Sequence, residues 1–144
     1  MIELGGGATA SVGDLIKDVN ESTFMQDVVD ASQEVPIIVD FWAPWCGPCK
    51  TLGPQLEAAV VAAKGAVKMA KVNVDEAQMI AGQLQIQSIP TVFAFYKGQP
   101  VDGFQGAVPQ SEIVEFVDRV IKAGGGTSPA DDLNAAVEAA EEML

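Results

Sequence analysis

The run VPIIVDFW (35–42) constrains this chain more than any other stretch. Apart from Pro36 and Asp40 its residues are β-branched or aromatic, and apolar ones do not alternate with polar ones. A strand of that kind is buried on both faces, so it belongs in the middle of a covered sheet. It contains one acid, Asp40. Directly after it, APWCGPCK (43–50) holds both cysteines of the chain, Cys46 and Cys49, at the expected start of a helix.

The rest of the chain supplies what such a strand needs. DLIKDV (14–19) reads as a short edge strand. A loose helix follows, with Ser22 as its N-cap and Phe24, Val28, Val29 and Ala31 on its apolar face. The cysteine helix runs to about Ala63, with Leu52, Leu56, Ala59, Val60 and Ala63 at helical spacing and a kink expected at Pro54. AVKMAKVNVD (66–75) is a strand and EAQMIAGQLQI (76–86) a short helix. TVFAFYKGQPVDGFQG (91–106) is two strands joined at Lys97-Gly98-Gln99-Pro100. Residues 109–123 form an amphipathic helix with Ile113, Phe116, Val117, Val120 and Ile121 on one stripe. The order is β-α-β-α-β-α-β-β-α. The alternating part demands parallel crossovers, and the final hairpin adds antiparallel pairs. An α/β fold follows: a mixed central sheet with helices on both faces.

The ends differ from this body. Residues 1–13, with Gly5-Gly6-Gly7, read as a flexible tail. Residues 124–130 have linker composition. Residues 131–144 pattern as an extra C-terminal helix with Leu133, Ala136, Val137, Ala140 and Leu144 on one stripe. Its acids are Asp131, Asp132, Glu138, Glu141 and Glu142, with no base. Two readings stay open: a last helix that docks or frays, or the first helix of a larger helical region.

Charge and composition exclude several functions. The formal net charge is −12, and the eight Lys and Arg are scattered, so no basic stripe offers itself to nucleic acid. No apolar run approaches the roughly 18 residues of a membrane helix. The N-terminus lacks the basic and apolar regions of a secretory signal. The cytoplasm is therefore the expected compartment, although a mature form stripped of its signal would read the same. There is no histidine, which removes Ser-His-Asp and Cys-His catalysis. Two cysteines without histidine also make a poor zinc site, so no metal is expected. A staple closing a two-residue loop would constrain the unfolded chain little.

A redox role remains. Cys-x-x-Cys after a buried strand, opening a helix within a βαβ pattern, is a redox signature. The helix N-terminus offers free N–H groups and a partial positive charge, which favour thiolate over thiol at Cys46. Cys46 should be exposed and attack a substrate disulfide. Cys49, one turn on and shielded, should resolve the mixed disulfide. Gly47 lets a substrate backbone approach, and Pro48 suits an early helix position. Asp40, desolvated in its strand, should bind its proton more tightly than usual, which suits a base for Cys49.

VDFWAPWCGPCK (39–50) resembles the active-site segment of the thioredoxin family. AKVNVD (70–75), IQSIPTVFAFYKG (86–98) and GFQGA (103–107) are similar to later segments of that family, in order. The resemblance covers residues 14–123 and implies a thioredoxin fold. It implies that Cys46 is the nucleophile, Cys49 the resolving thiol, Asp40 the buried acid and Lys71 a lysine near that acid. It further implies a cis bond between Ile89 and Pro90, an exposed Trp45 platform beside Cys46, a more buried Trp42, and a groove completed by Gly106 and Ala107. Pro44 stands where many members carry an acid. The implied function is a monomeric protein-disulfide reductase that needs no cofactor beyond its dithiol and takes electrons from a thioredoxin reductase. Gly-Pro between the cysteines points to a strongly reducing couple rather than an exported oxidant or isomerase. The acidic extension resembles that of bacterial thioredoxin-fold co-chaperones with tetratricopeptide repeats. That likeness implies an alternative: the redox domain of a holdase that binds unfolded clients and a chaperonin.

Overall fold

The computed structural model describes residues 12–126. The expected 131–144 helix, and the tail up to residue 11, lie outside the described residues. Five strands form one sheet: β1 (Ile16–Asp18), β2 (Ile37–Trp42), β3 (Lys68–Asn73), β4 (Thr91–Tyr96) and β5 (Gln99–Gln105). Their spatial order is β1-β3-β2-β4-β5. β3 pairs in parallel with β1 and β2, while β4 runs antiparallel to β2 and β5. The expected crossovers and hairpin are both present.

β2 occupies the centre, and five of its six residues are buried. Its side chains feed two cores, one on each face. Ile38 packs with Leu52, Leu56 and Val60 of α2 (Gly47–Ala62) and with Ile113, Phe116 and Val120 of α4 (Gln110–Ala123). Ile37, Val39 and Phe41 face the other way, against Val28, Ile80 of α3 (Gln78–Gln83) and Phe95. Fully burying one such side chain contributes roughly 1.5–3 kcal/mol. Two cores of this kind easily offset the cost of one buried carboxyl, Asp40, which is 1% exposed.

Local chemistry departs from the sequence reading at several places. Residues 14–19 are not one strand: α1 (Val12–Leu15) precedes the three-residue β1, so Val12 and Gly13 of the expected tail belong to a helix. The next helical segment is a π-helical turn (Met25–Asp30) followed by a 3₁₀ turn (Ala31–Gln33). Ser22 does not cap it. Its N-cap, Phe24, carries no side-chain cap, and the side-chain bonds fall in the turn before it: Asn20 Oδ1 accepts from the N–H groups of Ser22 and Thr23 at 2.9 and 3.1 Å, while Thr23 Oγ1 accepts from Asn20 N–H at 3.0 Å. This reciprocal pairing needs acceptor groups three residues apart, which Asn20 and Thr23 provide. The hairpin turn is only Lys97-Gly98, both in the left-handed region (φ 57° and 82°), as a two-residue type I′ connection requires. Gln99 and Pro100 therefore belong to β5, an edge strand where proline is tolerated.

α2 runs unbroken through Pro54. At the far end, Gly124 to Gly126 are not free linker. The N–H of Gly126 donates to the Ile121 carbonyl at 2.9 Å and that of Gly125 to Lys122 at 3.0 Å, with Gly125 at φ 80°. The glycines thus close α4 with a Schellman cap.

Candidate active site

β2 ends at Trp42, a turn with Pro44-Trp45 at its centre reverses the chain, the Cys46 N–H donating to the Ala43 carbonyl at 3.1 Å, and α2 opens at Gly47. This brings Cys46 to the N-cap position and Cys49 into the first turn, where their Cα atoms are 5.3 Å apart and the sulfurs are bonded. That spacing lies in the ordinary disulfide range. Cys46 Sγ accepts the N–H of Cys49 at 3.2 Å. A sulfur thus fills the place that a serine or aspartate oxygen usually takes at a helix start. The same N–H, backed by the helix dipole, would stabilise a thiolate there after reduction. Pro48 sits where its missing N–H costs nothing, and space around Gly47 is open.

Cys46 is not exposed as the sequence suggested. It is 4% exposed, against 6% for Cys49. The pair is packed with Ala43, and Trp42, Val74 and Ile89 press against it. The loop carrying Ile89 arrives from elsewhere in the chain, which local pattern could not show. The Ile89–Pro90 bond is cis. Pro90 is buried, and its carbonyl accepts the N–H of Gly106 at 2.8 Å. Gly106 lies at φ 81°, a conformation glycine adopts freely. Ala107 follows it on the surface.

Trp45 is the exposed residue beside the sulfurs, 69% accessible, as expected. With Val74, Ile86, Gln87, Ser88 and Ile89 it lines a shallow groove of about 310 Å³. Its Nε1–H donates to both carboxylate oxygens of Asp75 at 3.0 and 3.2 Å. Asp75 was missed in the sequence, because nothing local links residues thirty positions apart. Trp42 is half-buried.

Cys49 opens onto a different space. A cleft of about 260 Å³ is lined by Cys49, Asp40, Lys50, Gly53, Glu57 and Lys71, among others. Asp40 Oδ1 makes no hydrogen bond. Burial pushes the Asp40 carboxyl up from 3.8 to about 6; Lys71 opposes the shift and Glu57 adds to it. Lys71 stands in register with Asp40 across the β2–β3 pair, so the expected proximity is real. Its ammonium, however, is bonded to Glu57 at 3.0 Å. Glu57 carried no sequence signal of its own, looking like any charge on a half-exposed helix face. Among the described residues, no group of three or more His, Cys, Asp or Glu could hold a metal ion.

A dithiol at a helix N-terminus, beside a cis-proline loop and above a buried acid, can exchange disulfides. Comparison with known proteins gives the same answer. The family model described as "Thioredoxin" matches residues 15–119. "Thioredoxin 1" of Nostoc sp. is 44% identical over 101 residues, covering 70% of this chain and 92% of that protein. "Thioredoxin 1" of Synechococcus elongatus is 43% identical over 101 residues, with the same coverage. "Probable thioredoxin-2" of Caenorhabditis elegans is 44% identical over 100 residues, 69% of this chain and 68% of that one. The chain belongs to the thioredoxin family of thiol-disulfide oxidoreductases.

Proposed function

We propose that this protein reduces disulfides of many client proteins, with Cys46 as nucleophile, Cys49 as resolving thiol and Asp40 as the base for Cys49. One observation carries the assignment: Cys49 and the buried Asp40 line one cleft, while Cys46 sits at the N-cap of α2, next to the apolar groove. The Cys46 thiolate attacks a client sulfur, and the client's second sulfur leaves as thiolate. Cys49 gives its proton to Asp40, directly or through solvent in the cleft, and attacks Cys46 Sγ. The bond between Cys46 and the client breaks, and two electrons have passed to the client. A thioredoxin reductase returns two electrons to the Cys46–Cys49 disulfide, and with protons from Asp40 and solvent the dithiol is regenerated. The chemistry uses no prosthetic cofactor.

The groove beside Trp45, Ile86 and Ile89 would take the apolar side chains of the client. Its backbone would lie along the Ile89-Pro90 segment as an added strand, and Gly106 and Ala107 would border it. Gly47 leaves room for that backbone. The test is insulin reduction by dithiothreitol with the wild type and Cys46→Ser. Equal turbidity curves would sink the reading.

A second reading concerns the setting. The acidic segment after the glycines favours a bacterial, cytoplasmic redox co-chaperone that also holds unfolded clients and meets a chaperonin. Thermal aggregation of a model client, followed by light scattering with the full chain, tests it. A Cys46→Ser/Cys49→Ser variant that still suppresses aggregation supports it, and no suppression by the wild type removes it. Thiol trapping in cells tests the compartment: a mostly oxidised pair argues against the cytoplasm.

A further inference from the structure

The charges around Asp40 form a set of their own. Asp40 and Lys71 are partners across the parallel β2–β3 pair. Left alone, a lysine in that register can reach the carboxyl beside it. It does not bond to it here. Lys71 Nζ bonds Glu57 Oε2 at 3.0 Å, and each of these side chains is about one-third exposed (28% and 32%). It also lies over the Trp42 ring, 5.6 Å from its centroid. Gly53 marks where the two carboxyl groups come together. It is one helical turn before Glu57, and a Cβ placed on it would be 3.9 Å from Asp40 Oδ2 and 3.9 Å from Glu57 Oε2. The two carboxyl groups thus flank one point on α2. The charged or titratable groups lining this cleft are Cys49, Lys50 and Glu57 from α2 and Lys71 from β3. From β4, the residue opposite Asp40 is Val92.

We propose that Glu57 is a positioning residue for the resolving step: it holds the Lys71 ammonium in an ion pair at the cleft mouth and so keeps it off the Asp40 carboxyl. A base that takes the Cys49 proton must be willing to hold it near neutral pH. A cation paired directly with Asp40 would favour the carboxylate and weaken it as a base. Glu57 prevents this twice over. It occupies the cation, and its own negative charge acts on Asp40 in the same direction as burial. The proposal rests on Asp40 being the base for Cys49.

The experiment is a titration of the Asp40 carboxyl carbon by NMR in the oxidised protein, where the cysteines do not titrate. It uses wild type, Glu57→Gln, Lys71→Met and the double variant. Glu57→Gln is expected to move the Asp40 midpoint to lower pH by about one unit. Lys71→Met should move it the other way. The double variant should fall between the two, with a coupling that the single changes do not add up to. The resolving rate at pH 7, measured on a preformed mixed disulfide at Cys46, should fall roughly threefold in Glu57→Gln. An unmoved or raised midpoint in Glu57→Gln overturns the proposal, whatever happens to thermal stability. A lowered midpoint with an unchanged resolving rate also overturns it. Asp40→Asn then tells whether the base assignment has failed too: its resolving rate is normal only if Asp40 is not the base.

Discussion

On the Cys46 side of the disulfide, the groove is mostly apolar and its lining is uncharged: Trp45, Val74, Ile86 and Ile89 line it together with Gln87 and Ser88, and the Asp75 carboxylate accepts the Trp45 indole N–H. On the Cys49 side, the cleft holds Asp40, Lys50, Glu57 and Lys71 around the sulfur. The two sides divide the labour. Apolar contact and main-chain pairing recognise a client without reading its charge, which suits a reagent for many proteins. Proton transfer needs the opposite setting, a sheltered space where a carboxyl keeps its proton near neutral pH because water solvates it poorly. Damage to the two sides should therefore show up in different kinetic constants.

The largest effect falls on the disulfide between them. Cys46→Ser should reduce insulin turbidity to the dithiothreitol-only rate. Cys49→Ser should still attack but accumulate a mixed disulfide, visible by mass spectrometry. Rapid turnover by either variant would erase the distinction between attacking and resolving sulfurs.

Next comes the charged side. Asp40→Asn should slow the resolving step at pH 7 by about a hundredfold, the lower end for loss of a general base. It should also change stability in a pH-dependent way. The folded carboxyl titrates at about 6 and the ordinary one at 3.8. The favourable burial of the neutral acid is fully present below pH 3.8 and is lost as pH rises through 6. The wild type thus carries a burden of about 3 kcal/mol at pH 8 that an uncharged amide lacks. Denaturant melts should show Asp40→Asn as the more stable protein at pH 8, with the gap closing by pH 3. A constant gap would mean that the carboxyl titrates alike in both states.

The apolar side should respond more mildly. Trp45→Ala and Ile89→Ala each remove partly exposed contact area, so KM for a protein disulfide should rise about five- to tenfold, equivalent to about 1–1.4 kcal/mol. Turnover number should stay within twofold, and a fall in kcat at constant KM would contradict the division. Smallest of all, Asp75→Ala frees the indole without removing it. Tryptophan fluorescence should change, while KM shifts by no more than about threefold.

Much of this molecule is legible in the chain because its signals are local. A doubly apolar strand, helical stripes at 113–121 and a hairpin turn within Lys97–Pro100 each depend on neighbours a few residues away. The pairing of Cys46 with Cys49 is equally local, since one helical turn separates them. Some departures are equally local: Asn20 and Ser22 are both good capping residues, and only the hydrogen bonds choose between them.

The site itself is only half written in the sequence. The succession of strands and helices along the chain, the presence of the dithiol at a helix start and the buried acid follow from hydrophobic period and helix chemistry. Tertiary structure decided the partners. Register across β2 and β3 brought Lys71 beside Asp40, and packing of α2 on the sheet offered Glu57 as the competing anion. The Ile89-Pro90 loop covered a sulfur that its own segment would leave exposed. Such choices turn on energies of about 1 kcal/mol between groups that meet only after folding. Residues distant along the chain carry no local pattern that announces their meeting.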